Sequence, residues 1–266
     1  MQSTIDLNAD LGESFGAYRM GDDETLVPLL TSANVACGFH AGDPLVIDHT
    51  VRLLKAAGVA LGAHPGFGDL VGFGRRDLGA SHHQIETDVA YQVAAMAGMG
   101  RRVGVTLRHV KAHGALYNLA WRDQSVAAGV AAGVASLDLS LILVAPSGSA
   151  LERAAGAAGL RVAREAFADR AYAVDGTLVP RHLPGAVLED PSQVAERAVQ
   201  IAREGEIGAV GGSLIELRAD TICIHGDNPA AVALATAVRQ ALKSAGVGLR
   251  AMSAALGPLG PDSAPA

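Results

Sequence analysis

The chain has 266 residues, of which 50% are hydrophobic, 18% charged and 4% aromatic, with a formal net charge of −6. This composition excludes a disordered chain, which needs low hydrophobicity and high net charge, and the acidic balance argues against nucleic-acid binding, which needs a basic surface. Charges interrupt every apolar run before the roughly 20 residues that span a membrane. The length suits one large domain, and barrels of alternating strand and helix use about 250 residues as a single unit.

The first residues, MQSTIDLNAD, have no basic region and no long apolar stretch, so no secretory signal is expected. Cys37 and Cys223 are too few for a disulfide framework and read as free thiols of a cytoplasmic protein, packed as small apolar groups.

In chain order, short apolar runs fall at 3–7, 33–37, 59–63, 106–110, 140–145, 160–163 and 221–224. Polar residues follow them: Asn8 and Asp10, His40, His64, Lys111 and His113, Glu165, and finally His225 and Asp227. Helix candidates lie between the runs. Residues 44–57 follow Asp43 as N-cap, with Pro44 in the first turn and Gly58 as the stop. Residues 81–98 open on Ser81, 191–204 on Asp190–Pro191, and 229–245 follow Asn228 and end before Gly246. Strands alternating with helices pair in parallel through the crossover helices. About seven such units favour a closed or nearly closed α/β barrel over an open sheet. This reading assigns residues 1–253 to one barrel domain and 254–266, rich in Pro, Gly and Ala, to a flexible tail.

Such a barrel brings the carboxyl ends of its strands to one face. Some residues there can be helix caps, but caps do not explain several histidines and a lysine at equivalent positions. In DLNADLGESFG (6–16), the period of two puts Asp6, Asn8 and Asp10 on one side of an extended chain. Such carboxylates suit a cation or proton-transfer site, with Glu13 a weaker member. In ANVACGFHAGDP (33–44), His40 offers a ligand or base and Asp43 is expected to cap a helix. The Gly-rich loop in GAHPGFGDLVGFGRR (62–76) carries Arg75 and Arg76, which suit a carboxylate or phosphate, though a solvated pair is equally consistent. In HVKAHGALYN (109–118), Lys111 and His113 share a face, and His109 reads as a core histidine. No Gly-Lys-Ser/Thr phosphate loop is present. In EAFADRAY (165–172), Glu165 is either a general base or a partner of Arg170. ADTICIHGDNP (219–229) adds His225 and Asp227. Asp10, His40, His64, His113 and His225 are metal-ligand types, but none forms a local ligand pair.

Together these six segments, which run from Asp6 to Pro229 in family order, resemble the LamB/YcsF family. Two positions depart from the family pattern: Gly68 and Ala112 stand where Pro is usual, which affects backbone stiffness rather than a reacting group. The resemblance implies a seven-stranded βα barrel similar to the glycoside hydrolase/deacetylase barrels. It also implies opening of the 5-oxoproline lactam to L-glutamate coupled to ATP hydrolysis, with Mg²⁺, in a complex with partner subunits B and C. For that chemistry Asp10, Lys111, His113, Glu165 and His225 are the expected catalytic groups. Asn8, His40, His64, Arg75, Arg76, Arg170 and Asp227 are the expected substrate-binding groups, and Asp10, His40 and His64 are the candidate metal ligands. Two other readings stand beside it: a metal-dependent amide or acetyl hydrolase that works alone, and a non-catalytic substrate-binding subunit.

Overall fold

The structure, a computed structural model, describes residues 4–257. In chain order its elements are β1 (Thr4–Leu11), α1 (Asp23–Leu26), β2 (Ser32–Ala36), α2 (Pro44–Ala57), β3 (Ala60–His64), α3 (His82–Arg102), β4 (Leu107–Val110), α4 (Gly114–Arg122), α5 (Gln124–Ala135), β5 (Ile142–Pro146), α6 (Ala150–Ala157), β6 (Arg161–Phe167), α7 (Pro191–Glu204), β7 (Glu206–Gly208), β8 (Leu214–Glu216), β9 (Thr221–Ile224), α8 (Ala231–Ser244), β10 (Gly248–Leu249) and α9 (Met252–Ala255), with a 3-10 turn at Val27–Leu29.

Seven strands close into a parallel barrel in the order β1-β2-β3-β4-β5-β6-β9, and β9 returns to pair with β1. β10 lengthens the wall beside the start of β1. β7 and β8 form a separate antiparallel hairpin. The seven barrel strands are mostly buried and rich in Ala, Val, Ile and Leu, and the helices pack their apolar faces around them.

The capping chemistry sets the helix ends. Asp43 accepts from the Leu45 and Val46 N–H groups at the start of α2, and Gly58 closes that helix in the left-handed region at φ 69°. Ser81 and Gln84 form a reciprocal capping box at α3. Asp190, Pro191 and Gly205 bound α7 in the same manner as α2.

Some boundaries differ from those expected. β1 continues four residues beyond Leu7, because the barrel interior satisfies Asn8 and Asp10 with hydrogen bonds. β6 likewise runs to Phe167 and takes Glu165 inside the strand. α8 starts at Ala231, since the Asn228 side chain turns the chain first by accepting from the Ala230 N–H. α4, α5, α6 and the β7–β8 hairpin have no counterpart among the expected elements. The expected boundary between 253 and 254 falls inside α9, and the rest of that tail, 258–266, lies outside the described residues. Among the described residues no helix is long and apolar enough to cross a membrane.

Candidate active site

The site is built on a polar column inside the barrel. Asp6, Asn8 and Asp10 alternate inward along β1. Asp6, at the base, accepts from the hydroxyls of Thr31 (2.7 Å), Ser32 (2.6 Å) and Thr221. Burial raises its carboxyl above the usual range against those three donors. The Asn8 amide donates to Thr221 Oγ1 (2.7 Å) and Glu165 Oε1 (3.2 Å). Asn34 spends its two amide hydrogens on Asn8 Oδ1 (2.7 Å) and Asp10 Oδ1 (2.8 Å), and its oxygen lies 2.9 Å from His109 Nε2. His109 reaches Asn34 across β3 only because residue 62 is Gly: a Cβ there would lie 2.1 Å from His109 Nε2.

Above this column Lys111 holds the centre. Its ammonium is 3.0 Å from Asp10 Oδ1, 3.0 Å from Glu165 Oε1 and 3.0 Å from Cys223 Sγ. Burial alone would lower the ammonium pKa, but Asp10, Cys223 and Glu165 outweigh it and hold it well above its ordinary value. Burial would raise Asp10, yet His64 and Lys111 keep its carboxyl well below the usual range. The Tyr117 hydroxyl donates to Glu165 Oε2 at 2.7 Å.

Two further groups flank Lys111. On one side His225 stacks on Phe167, with its Nδ1 2.9 and 3.1 Å from the two carboxylate oxygens of Asp169. Burial opposes the charge on Asp169, but His225 keeps its carboxyl below the usual range. The carboxylate therefore fixes the proton on Nδ1 and leaves Nε2 as the acceptor of the ring. On the other side Glu13, His40, His64 and His113 each offer one ligand atom, all within 4.8 Å of one another and all buried. His40 and His113 stack with centroids 3.7 Å apart. Burial, then the neighbouring histidines, lowers His40 well below its ordinary pKa and His113 to about 3. Burial, then Asp10 and Asp227, raises Glu13 well above the carboxylate range.

These groups open into a cavity of ≈ 610 Å³, which is within the usual size of a small-molecule site. Asp10, His64, Arg75, Lys111, His113, Arg170, His225 and Asp227 line it. Four expected residues stand elsewhere. Asn8 is buried below Lys111 with its amide already committed, and Glu165 lies behind Lys111, held by Tyr117, Asn8 and Lys111. His40 sits behind His113. Arg76 is turned back onto Asp69 of its own loop, which it holds down to about 2. Arg170 lines the cavity, but its guanidinium also binds the Ala186 and Val179 carbonyls, tying down the segment between β6 and α7. At the rim Arg75 meets Asp227 at 2.5 Å, with Arg181 3.7 Å from the same carboxylate.

The sequence reading passes over Tyr117, Arg181, the pairing of Asp169 with His225 and the contact of Cys223 with Lys111. Tyr117 lies four residues beyond His113 on the helix that follows it, a spacing that could have pointed to it. Arg181 sits in an irregular segment with no strand-end signature. Of the expected metal candidates, His40 and His64 cluster with Glu13 and His113 in a group that could hold a metal ion, while Asp10 gives Oδ1 to Lys111 and Asn34 and sets Oδ2 3.4 Å from His64 Nε2.

Comparison with known proteins agrees with this architecture. The chain is 54% identical over 250 residues to the A subunit of 5-oxoprolinase from Symbiobacterium thermophilum, covering 94% of this chain and 96% of the relative. A solved lactam utilization protein from Thermus thermophilus superposes with a TM-score of 0.89 at 49% identity, covering 93% of this chain and 99% of that one. A putative cellobiose-phosphate cleavage protein from Enterococcus faecalis V583, at 13% identity and a TM-score of 0.55 over 96% and 99% of the two chains, shares the fold alone. The LamB/YcsF family model matches residues 5–257, and the chain belongs to that family.

Proposed function

We propose that this chain is the A subunit of an ATP-dependent 5-oxoprolinase, a cytoplasmic hydrolase that opens the 5-oxoproline lactam to L-glutamate with partner subunits B and C. The observation that carries the reading is the Lys111 cluster, set on the cavity floor of a chain about half identical to proteins of that name. Two thiols, both free and buried, suit a reducing compartment.

A five-membered lactam is a poor electrophile. Transfer of the ATP γ-phosphoryl group to the lactam oxygen, with Mg²⁺, activates the ring carbon. Water then adds to that carbon, the C–N bond breaks as the nitrogen takes a proton, and a second water releases phosphate. The residues of this chain supply charge and protons for these steps. Lys111 gives two donors to carboxylates and the third to sulfur, a weak acceptor. A lactam oxygen can replace Cys223 at that third position, where the ammonium stabilises the charge that develops. His225, oriented by Asp169, takes a proton from water at Nε2 and returns it to the leaving nitrogen. Asp10 is too acidic for a base and serves to orient Lys111 and His64. At the rim, Arg75 and Arg181, which converge on Asp227, are the cations placed to take the substrate carboxylate.

The test is glutamate release from 5-oxoproline by this chain alone and with subunits B and C, with and without ATP. Glutamate and ADP are expected only with all components present. A second reading, a metal-dependent amide hydrolase that works alone, is favoured by the Glu13–His40–His64–His113 cluster. Lactam opening by the isolated chain without ATP decides for it.

A further inference from the structure

The hydrogen bonds around His64 and His113 fix their tautomers. His64 Nδ1 lies 2.7 Å from the Lys111 carbonyl, and His113 Nε2 lies 2.8 Å from the Phe73 carbonyl. A carbonyl oxygen only accepts, so both of these nitrogens carry the hydrogen. A neutral imidazole has one N–H. In the neutral rings His64 Nε2 and His113 Nδ1 are therefore both bare lone pairs; they face each other at 3.0 Å, and Asp10 Oδ2 lies 3.4 Å from His64 Nε2. Two acceptors at hydrogen-bonding distance repel unless something positive lies with them.

The neighbours carry the same mark. Glu13 Oε1 and both nitrogens of His40 are buried with no hydrogen-bond partner among the described residues. Glu13 Oε1 is 3.4 Å from His40 Nε2 and 3.6 Å from His113 Nδ1. Each such buried polar atom costs about 1–3 kcal/mol if left unmatched. A proton on His64 Nε2 would satisfy His113 and leave Glu13 and His40 unchanged.

A cation takes one atom from each of the four residues and leaves only the second His40 nitrogen of this group unmatched. Ligands about 2.0–2.1 Å from a tetrahedral centre are about 3.4 Å apart. The three observed edges, 3.0, 3.4 and 3.6 Å, bracket that value. The outward N–H groups of His64 and His113, each donating to a backbone carbonyl, are the arrangement that orients histidine ligands at metal sites. The cradle around the rings is tight: a Cβ at Gly74 would lie 2.7 Å from His40 Cβ and 2.9 Å from His113 Cδ2. Glu13, His64 and His113 border the cavity, which gives an ion a way in. Three imidazoles and one carboxylate select a borderline transition ion over Mg²⁺ or Ca²⁺, which prefer oxygen.

We propose that Glu13, His40, His64 and His113 form a binding site for one divalent transition-metal ion of the zinc class, beside Lys111 in the same cavity. The site stands whichever reaction the cavity carries out.

The test uses the full chain, stripped with a chelator and dialysed against Zn²⁺ or Co²⁺, with bound metal measured by elemental analysis. About one equivalent of Zn²⁺ is expected to bind, and the Co²⁺ form is expected to show the intense visible absorption of a low-coordinate nitrogen–oxygen site. Glu13→Gln and His40→Asn, both close in shape to the native residues, are each expected to weaken binding on the order of 100-fold while the circular dichroism stays native. The proposal is overturned if the stripped wild-type chain takes up no Zn²⁺, if the Co²⁺ spectrum is that of an all-oxygen octahedral ion, or if folded Glu13→Gln and His40→Asn bind as tightly as wild type. Should either variant fail to fold, the wild-type stoichiometry and Co²⁺ spectrum decide.

Discussion

The same barrel holds two polar regions that differ in one respect. At its base, Asp6, Asn8, Asn34 and Thr221 commit nearly every donor and acceptor to one another and to their neighbours, with His109 Nδ1 the one orphan of that region among the described residues. At its mouth, Glu13 and His40 are as deeply buried but have no hydrogen-bond partner among the described residues, and Lys111 spends a donor on sulfur. A satisfied polar network rigidifies and specifies a structure, while a half-satisfied one destabilises it unless something outside the chain completes it. The base is therefore architecture and the mouth is the working end, though both are built from residues of the same strands. On β1 the change from one role to the other falls between Asn8 and Asp10.

This contrast can be broken by substitution. The largest effect belongs to Lys111→Met. It keeps the volume but removes the charge that holds Asp10 and Glu165, and it should lower glutamate formation by the complex on the order of 10²–10⁴-fold. A turnover near wild type in a folded variant removes Lys111 from the chemistry.

A smaller effect sharpens the contrast through pH. His109 is buried and neutral, held down to about 3 by burial and by Lys111, against about 6.5 when unfolded. Between those values the unfolded chain binds the extra proton, so stability falls as pH drops from about 6.5 toward 3. From pH 7 to 5 this one residue costs about 2 kcal/mol. Unfolding of His109→Gln, whose amide can still donate to Asn34, should lose that much less over the same interval, as read from urea titrations at both pH values. Equal pH slopes in the two proteins contradict the assignment of His109 as a neutral core residue.

The smallest effect concerns the loop over the mouth. At Gly68 a Cβ would meet only Phe39 at 3.7 Å, and its φ lies outside the left-handed region. Its N–H makes no hydrogen bond among the described residues. Gly68→Pro should therefore raise stability by up to about 1 kcal/mol through the unfolded chain, with turnover unchanged. A loss of stability would show that the loop needs the freedom of glycine.

Much of this is legible in the sequence. The strand runs and the Asp43–Pro44 and Asp190–Pro191 devices place the barrel, because capping and apolar periodicity are local. The convergence of Asp10, His64, Lys111, His113, His225 and Asp227 follows from the fold class. The partition among them does not. Nothing local in DLNADLG says that Asn8 is spent below the cavity and Asp10 is not, since that depends on the register that sets Asp10 opposite Asn34. Arg76 looks equivalent to Arg75 in sequence, yet one folds back onto Asp69 and the other reaches Asp227, 152 positions away. His40 reads as a substrate contact in sequence, and only its stacking on His113 shows it to stand behind.

The most direct test pairs the two regions: turnover and unfolding free energy measured on Asp6→Ala and on His225→Gln. Asp6→Ala strips an acceptor from the buried hydroxyls of Ser32 and Thr221 and from the part-buried Thr31, and should lose on the order of 3 kcal/mol of stability while the folded fraction turns over as wild type. His225→Gln should leave stability within about 1 kcal/mol and lower turnover at least about 100-fold. If the two variants instead show the same pattern, the base and the mouth of the barrel are not the separate regions described above.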